Sequence, residues 1–338
     1  MDKTISDGFY SAAYFTKTAQ ILRNQMPDRE PVLMQVFQKD ASVLYGMDEA
    51  LSILRGLPNG KYLKIMALAD GSSIEPWETV MTIEGDPADF LIAESVYLGV
   101  LARGTRVATN MRAIVTAAGK KPVLFMGDRF DRYENQASDG EAAIVGGASA
   151  ICTPAMGYRN RWEAAGTMPH ALIACFGGDV AAASLAYAKE FPDEKVTALV
   201  DFNNDCVGDS LASLAVLGSR LGAVRLDTSE NMTDKSLQGL TANNATMIAS
   251  PYRGVNKHLV INVRKALDDN GGAHVKIIVS GGFTAKKISY FETERVPVDI
   301  YGVGSSIIKN GPDFTADIVK PFGKAGRAYR PNPRLKEV

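Results

Sequence analysis

Short apolar runs alternate with helical stretches from about residue 120 to residue 304, and this alternation limits the possible folds more than any other feature. The apolar runs, rich in β-branched residues, are 122–127 (PVLFMG), 142–148 (AAIVGGA), 170–174 (HALIA), 196–202 (VTALVDF), 222–227 (GAVRLD), 275–282 (VKIIVSGG) and 298–304 (VDIYGVG). Helical periodicity marks 179–191, 208–221 and 256–270. Continuously apolar strands separated by helices predict a parallel sheet covered by helices. This number of units favours a closed α/β barrel, with an open doubly wound sheet as the alternative.

The first 110 residues have a different pattern. Residues 30–38, 61–68 and 77–85 are alternating or mixed strands, and 90–119 has the character of one or two long helices. Such a mixture predicts an α+β domain. The basic tail, rich in glycine and proline, suits a barrel poorly, and we expect it to return to this domain. The predicted domains are therefore an α+β domain of residues 1–115 plus 308–338 and a barrel of residues 116–307.

Composition excludes several classes of protein. The chain has 37 basic and 38 acidic residues, a net charge of −1, so nothing indicates a nucleic-acid or membrane partner. No apolar run approaches the roughly 18 residues that span a bilayer, and the first residues lack a signal-peptide core. The three cysteines form no CxxC pair. We therefore expect a cytoplasmic protein with free thiols and no protein-bound metal cluster.

Glycines at two successive strand ends suggest a phosphate site. VSGG contributes Gly281 and Gly282, and YGVGSS contributes Gly302 and Gly304. Glycine exposes backbone N–H groups, and in barrels the loops after the last two strands commonly bind phosphate. The alternative is that these glycines only make tight turns.

Polar side chains near strand ends are the second candidate set. In AVRLDTSEN, strand alternation places Arg225 and Asp227 on one face, where they suit a phosphorylated sugar or magnesium, or form a structural salt bridge. Asp201 ends another strand, at the position where barrels gather catalytic residues. Arg129 follows the strand 122–127 and is a weaker candidate.

His170, in GTMPHALIA, is one of three histidines in the 338 residues. Taken alone, the pattern favours a histidine that satisfies a buried backbone group.

Several of these stretches together resemble one family. GTMPHALI, LVDF, RLD, VKIIVSGGFTAKKI and PVDIYGVGSSI occur in that order and resemble the nicotinate phosphoribosyltransferases, which are type II phosphoribosyltransferases. DGSSIEPWETVMTIEG and ESVYLGVLARGTRVATN resemble N-terminal segments of that family, and GKAGR a C-terminal one. The resemblance implies an irregular α/β barrel fused to an α+β domain built from both termini.

The resemblance also implies an activity. Nicotinate and phosphoribosyl pyrophosphate (PRPP) would give nicotinate mononucleotide and pyrophosphate, a step of NAD biosynthesis, with ATP hydrolysis coupled and Mg²⁺ accompanying PRPP and ATP. The protein would be a homodimer or a higher homo-oligomer. In this family the histidine of the GTMPH stretch is transiently phosphorylated by ATP, and it corresponds to His170. Asp201 and Asp227 would join it as catalytic residues.

The binding residues follow from the same resemblance. The four glycines Gly281, Gly282, Gly302 and Gly304 would hold the 5′-phosphate. Arg225 and Asp227 would hold the phosphoribosyl group, with Asp201 beside the ribose or the base. Arg129 would bind the nicotinate carboxylate or the pyrophosphate, and Tyr14 would stack on the pyridine ring from the partner subunit.

Two departures from the family pattern leave alternatives open. Ser11-Ala12 replaces a Thr-Asp pair, and Thr228-Ser229-Glu230 replaces Ser-Gly-Asp. Quinolinate and nicotinamide are the alternative acceptors. A quinolinate enzyme needs a denser cluster of basic side chains, whereas nicotinamide gains less from an arginine. A non-catalytic relative that binds a phosphosugar or nucleotide is the alternative of another class.

Overall fold

The computed structural model describes residues 3–238, 251–320 and 329–338. The strands, in chain order, are β1 (Val32–Gln38), β2 (Ser42–Val43), β3 (Lys64–Ala67), β4 (Ser73–Ile74), β5 (Thr79–Gly85), β6 (Val123–Phe125), β7 (Ala150–Ile151), β8 (Val196–Leu199), β9 (Leu221–Leu226), β10 (Lys276–Val279), β11 (Ile300–Val303), β12 (Phe314–Lys320) and β13 (Lys336–Glu337). The α-helices are α1 (Lys3–Ser6), α2 (Ala13–Gln25), α3 (Met47–Gly56), α4 (Pro87–Phe90), α5 (Glu94–Ala118), α6 (Gln136–Gly146), α7 (Pro154–Gly157), α8 (His170–Cys175), α9 (Val180–Glu190), α10 (Cys206–Leu217), α11 (Lys257–Asp269), α12 (Ala285–Thr293) and α13 (Ser305–Ile308).

The chain divides into two units. Unit 1 comprises the described residues of Met1–Arg112, Ala142–Gly146 and Lys309–Val338, and unit 2 those of Ala113–Glu141 and Gly147–Ile308. Within the described ranges, no helix is both long enough and apolar enough to cross a membrane.

Unit 1 is built on a five-stranded antiparallel sheet in the order β12-β1-β5-β3-β13. Its centre is apolar: Val36 of β1 pairs with Ala316 of β12 on one side and with Met81 of β5 on the other. Val36 and Met81 are fully buried in the core of this unit. The two edge strands of this sheet, β12 and β13, both come from the C-terminal segment. This α+β unit is therefore built from both ends of the chain.

Unit 2 contains a curled, six-stranded parallel sheet in the order β7-β6-β11-β10-β9-β8. The residues of β6 are all buried, and β10 and β11 are buried over their last three residues. Such burial is expected of parallel strands covered by helices. Because every pair in this sheet is parallel, the carboxyl ends of all six strands lie at one edge. The predicted fold class, an irregular α/β barrel fused to an α+β domain, is confirmed.

The helices of unit 2 begin at side-chain caps that the sequence supplies. Asp179 caps α9, Asp205 caps α10, Asn256 caps α11 and Thr284 caps α12, each accepting a backbone N–H of the first turn. Each cap satisfies donors that the helix itself leaves free. Helix α10 packs against both α9 and α11.

Two predicted strands are wrong. Residues 142–148 fall largely in helix α6, and the strand of that region is β7, later in the chain. Residues 170–174 lie in helix α8, with Pro169 at its N-cap position. Both runs are short and apolar, and in such runs periodicity does not separate a strand from a buried helix. The remaining predicted strands and helices are present with shifted ends. The GKAGR segment, residues 323–327, lies outside the described residues.

Candidate active site

The carboxyl edge of the parallel sheet collects most of the predicted site residues. Asp201 follows β8, Asp227 follows β9, Gly281 follows β10 and Gly304 follows β11. The order of these strands in the sheet places their loops side by side. In α/β proteins, ligands bind at the carboxyl ends of the parallel strands.

A network of hydrogen bonds joins the ends of β9 and β10. Arg225 donates from Nε to Ser280 Oγ at 2.9 Å and from one terminal nitrogen to Asp227 Oδ2 at 3.1 Å. Ser280 Oγ donates to Asp227 Oδ1 at 2.7 Å. The other terminal nitrogen of Arg225 lies 3.2 Å from Thr167 Oγ1. The guanidinium is thereby held in one orientation at the strand ends.

Strand alternation explains this placement. Val224 and Leu226 are fully buried on one face of β9, so Arg225 and Asp227 turn to the other face. The side chains of the ion pair are 13% and 19% exposed, which leaves them open to a ligand. The alternative of a structural salt bridge also fits this pair, because the two side chains contact each other directly.

His170 lies beside Asp201. Its Nε2 is 3.1 Å from both carboxylate oxygens of Asp201. The imidazole is 46% exposed whereas the carboxylate is only 7% exposed, so the aspartate supports the ring from within the protein. The ring centroid of Phe202 is 6.1 Å from that of His170. The structure therefore presents an oriented histidine with an accessible face.

Burial raises the pKa of Asp201 above the usual aspartate range. The contact with His170 acts in the opposite direction, and the nearby charge of Asp227 raises it further. The carboxylates of Asp201 and Asp227 thus repel each other electrostatically. Together they form a region of negative charge at the ends of β8 and β9.

Two carboxylates are a partial ligand set for magnesium. Mg²⁺ prefers hard oxygen ligands and commonly takes one or two carboxylates together with substrate phosphates. Among the described residues, no group of three or more His, Cys, Asp or Glu side chains lies close enough to hold a metal ion. A cation at Asp201 or Asp227 would therefore need further oxygen ligands from its substrate.

The predicted glycines are of two structural kinds. Gly281 and Gly282 have φ of +83° and +73°, a left-handed turn that favours glycine. A Cβ on Gly282 would meet nothing within 4 Å, so this turn faces open space. By contrast, a Cβ on Gly302 would lie 2.9 Å from the sulfur of Met126, and a Cβ on Gly304 would lie 2.5 Å from the carbonyl oxygen of Met126. Because Gly302 and Gly304 lack side chains, β11 can pack closely on the loop after β6.

Two further candidates, Arg129 and Tyr14, are not among the described residues that form this hydrogen-bond network. Arg129 is exposed in the loop after β6, and its guanidinium carbon is 5.9 Å from the ring centroid of Phe130. Tyr14 belongs to unit 1, where it lies on α2 with 64% of its surface exposed.

Two members of the network were not predicted. Ser280 is buried and links Arg225 to Asp227, and Thr167 contacts the guanidinium from a distant part of the sequence. Ser280 could have been found, because it is the first residue after β10 and directly precedes the glycine pair. Nothing in the local sequence of Thr167 indicates its contact.

The loop after β9 accommodates the departure at Thr228-Ser229-Glu230. Thr228 is buried, and its hydroxyl lies 3.6 Å from the sulfur of Cys206. Opposite Glu230 the chain has Gly254, where a Cβ would lie 3.0 Å from the Cα of Glu230. Gly254 has φ of +59°, a backbone conformation that favours glycine. The family pattern has a glycine within the loop after β9, whereas here a glycine of a different segment lies against that loop.

Comparisons with known proteins agree with this architecture. Residues 13–105 match the sequence profile described as quinolinate phosphoribosyl transferase, N-terminal domain. A nicotinate phosphoribosyltransferase of Mycobacterium tuberculosis is 29% identical over 257 residues, which cover 74% of this chain and 51% of that protein. One from Bacillus subtilis is 24% identical over 248 residues, 72% of this chain and 45% of that protein. The chain thus spans about half the length of these curated relatives.

Solved structures share the fold over most of the chain. The crystal structure of human nicotinic acid phosphoribosyltransferase aligns with a TM-score of 0.68 at 17% identity, covering 91% of this chain and 74% of that one. At that identity the likeness concerns the fold alone. The crystal structure of nicotinate-nucleotide pyrophosphorylase from Pyrococcus furiosus aligns with a TM-score of 0.80 at 32% identity, covering 97% of this chain and 80% of that one. From this identity and coverage, the chain belongs to the nicotinate and quinolinate phosphoribosyltransferase family, the type II phosphoribosyltransferases.

Proposed function

We propose that this protein is a phosphoribosyltransferase of NAD biosynthesis that joins nicotinate to PRPP, giving nicotinate mononucleotide and pyrophosphate with ATP hydrolysis coupled. One observation supports it most: the Arg225–Asp227–Ser280 network adjoins the left-handed turn at Gly281 at the carboxyl edge of the sheet. An arginine, a carboxylate and open backbone N–H groups suit the phosphate and hydroxyls of a phosphorylated ribose.

The transfer itself requires no covalent help from the protein. The pyridine nitrogen forms a bond to the anomeric carbon as the bond from that carbon to pyrophosphate breaks. The ribose then carries oxocarbenium character, as in glycoside chemistry. Negative charge at Asp201 and Asp227 would stabilise this developing cation, and the fixed guanidinium of Arg225 would hold the donor in line.

His170 is the proposed site of ATP-dependent phosphorylation. If Nε2–H donates to Asp201, the lone pair of the neutral ring lies on Nδ1, which becomes the nucleophile. A bond from Nδ1 to the γ-phosphorus would form as ADP leaves. Asp201 stabilises the positive charge that develops on the ring, the role of the aspartate in a catalytic triad.

Magnesium would enter with PRPP and ATP. When bound, the ion neutralises phosphate charge and assists departure of the pyrophosphate. Asp201 and Asp227 are the residues that would hold it, together with oxygens of the substrates.

The remaining assignments complete this proposal. Gly282, Gly302 and Gly304 would accompany Gly281 at the 5′-phosphate. Arg129, exposed after β6, would bind the carboxylate of nicotinate or the pyrophosphate. Tyr14, exposed on α2, would stack on the pyridine ring of a second subunit, which makes a homodimer the expected functional unit.

Quinolinate is the second candidate acceptor. It is favoured by the similarity of residues 13–105 to the N-terminal domain of quinolinate phosphoribosyl transferase. A phosphorylatable histidine has no role in a reaction that is driven by decarboxylation. The pairing of His170 with Asp201 therefore favours nicotinate.

Pyrophosphate release by the purified protein separates these acceptors. The assay contains PRPP and Mg²⁺, is run with and without ATP, and offers nicotinate, nicotinamide and quinolinate in turn. We expect release with nicotinate well above the other two. Release with quinolinate alone would replace the proposed acceptor, and binding of PRPP without release with any acceptor would establish a non-catalytic relative.

A further inference from the structure

The side chain of Lys287, on α12, reaches back toward the glycine turn. Its Nζ lies 4.2 Å from the ring centroid of Phe283 and 6.0 Å from that of Phe291. Phe283 directly follows Gly282 in the sequence, whereas Phe291 lies one turn further along the helix. Helical side chains lean toward the N-terminus of their helix, which accounts for this direction. The ammonium of Lys287 therefore lies over the aromatic ring of Phe283, the residue that directly follows the glycine turn.

Three loops of the carboxyl edge meet near this ammonium. Glu230, in the loop after β9, interacts electrostatically with Lys287. Ser306, just after β11, donates its hydroxyl to the carbonyl oxygen of Phe283 at 2.9 Å. A Cβ on Gly281 would lie 3.4 Å from the carbonyl oxygen of Asp227, so the loops after β9 and β10 are in contact. Lys287 thus adjoins the strand ends at which a phosphate would bind.

The environment of Lys287 suits an anion. Burial lowers the pKa of its ammonium, and the charge of Glu230 acts in the opposite direction. Glu230 is itself exposed, so its carboxylate can return to water when another anion takes its place. A poorly hydrated cation gains more from a phosphate than a fully solvated one does, because less water must be displaced. The preceding residue, Lys286, is exposed on the same helix.

We propose that Lys287 is the cation that binds the phosphate monoester of the phosphoribosyl donor, with Glu230 competing for the ammonium when no phosphate is bound. The inference rests on the proposed function, since it names a binding residue of that site. Glu230, which stands where the family pattern has an aspartate, keeps a negative charge in the same group of loops. The lysine supplies the point charge, and the left-handed turn at Gly281 and Gly282 supplies backbone N–H donors.

Binding of ribose 5-phosphate, measured by calorimetry, tests the inference without turnover. We expect Lys287→Met to weaken binding by about tenfold or more, the loss expected for a charge-assisted contact. Lys287→Arg retains the charge and should stay within a few-fold of the native protein. Lys286→Met is the matched control and should bind like the native protein. Glu230→Gln removes the competitor and should bind a few-fold more tightly.

Each result can be interpreted separately from the proposed function. Native affinity in a folded Lys287→Met variant, or an equal loss in Lys286→Met, would overturn the inference while the proposed reaction stands. If Lys287→Met alone loses affinity but the native protein releases no pyrophosphate with any acceptor, the phosphate site stands and the proposed reaction fails. Thermal unfolding of each variant shows whether it is folded, and Lys287→Arg tests the charge if Lys287→Met does not fold.

Discussion

At the scale of single residues, the contact between His170 and Asp201 carries the proposed chemistry. Asp201→Asn preserves the shape of the side chain but removes the charge that would stabilise a cationic ring. We expect ATP hydrolysis to fall by about a hundredfold or more, as for an aspartate that orients a catalytic histidine. ATP-independent transfer should fall less.

The control for this substitution is Asp193→Asn, in the exposed turn before β8, which should leave both activities unchanged. Full ATP hydrolysis by Asp201→Asn would contradict the role of the pair.

The sequence predicts the principal polar residues of the site because they end strands. Asp201, Asp227 and the glycine pair all follow apolar runs, and parallel strands bring such ends together. Thr167 could not be predicted, since its contact with Arg225 joins positions 58 residues apart. A contact of this kind depends on tertiary structure, which local pattern does not encode.

At the scale of elements, the errors have a physical cause. The runs at 142–148 and 170–174 are apolar enough for strands, yet Gln136 to Asp139 begin α6 before the first run, and Pro169 precedes α8 at a position where helices tolerate proline. Strand β10 could be predicted because three of its four residues are β-branched, and β9 and β11 could be predicted because each is a short, mostly apolar run that ends at a turn signal. Short apolar helices between such strands carry the same residues, so composition alone misassigns them.

Packing of α6 gives a prediction at this scale. A Cβ on Gly140 would lie 2.3 Å from the carbonyl oxygen of Met156 in α7, a contact that backbone must move to relieve. We expect Gly140→Ala to lower the free energy of unfolding by about 2 kcal/mol or more. Thermal or denaturant unfolding measures it.

Gly99→Ala is the matched control, because Gly99 lies inside α5 and a Cβ there would meet nothing within 4 Å. This change should raise the free energy of unfolding by up to about 1 kcal/mol, through helix propensity. Equal effects of the two substitutions would show that α6 does not pack on α7 as described.

At the scale of the whole molecule, stability should depend on pH through Glu94 at the start of α5. Burial, together with the charge of Asp317 on β12, raises the pKa of Glu94 from 4.5 to about 7. The folded protein therefore holds this proton where the unfolded chain has lost it. The resulting stabilisation is complete below about pH 4.5 and is lost as the pH rises through 7.

Glu94→Gln keeps the group neutral at every pH. We expect the variant to be more stable than the native protein above pH 7, by about 1–2 kcal/mol, with the difference vanishing near pH 4. Denaturant unfolding across this range measures it, and Glu84→Gln, exposed on β5, is the control. An advantage of Glu94→Gln that is constant with pH would rule out titration of Glu94 as the cause.

ATP-dependent release of pyrophosphate tests the central claim most directly. The assay compares the native protein with His170→Ala, in the presence of nicotinate, PRPP and Mg²⁺, with and without ATP. We predict that ATP stimulates the native protein and is hydrolysed during turnover, whereas His170→Ala neither hydrolyses ATP nor responds to it but retains slow transfer. Equal stimulation of both proteins by ATP would contradict the role of His170, and with it the proposed coupling at this site.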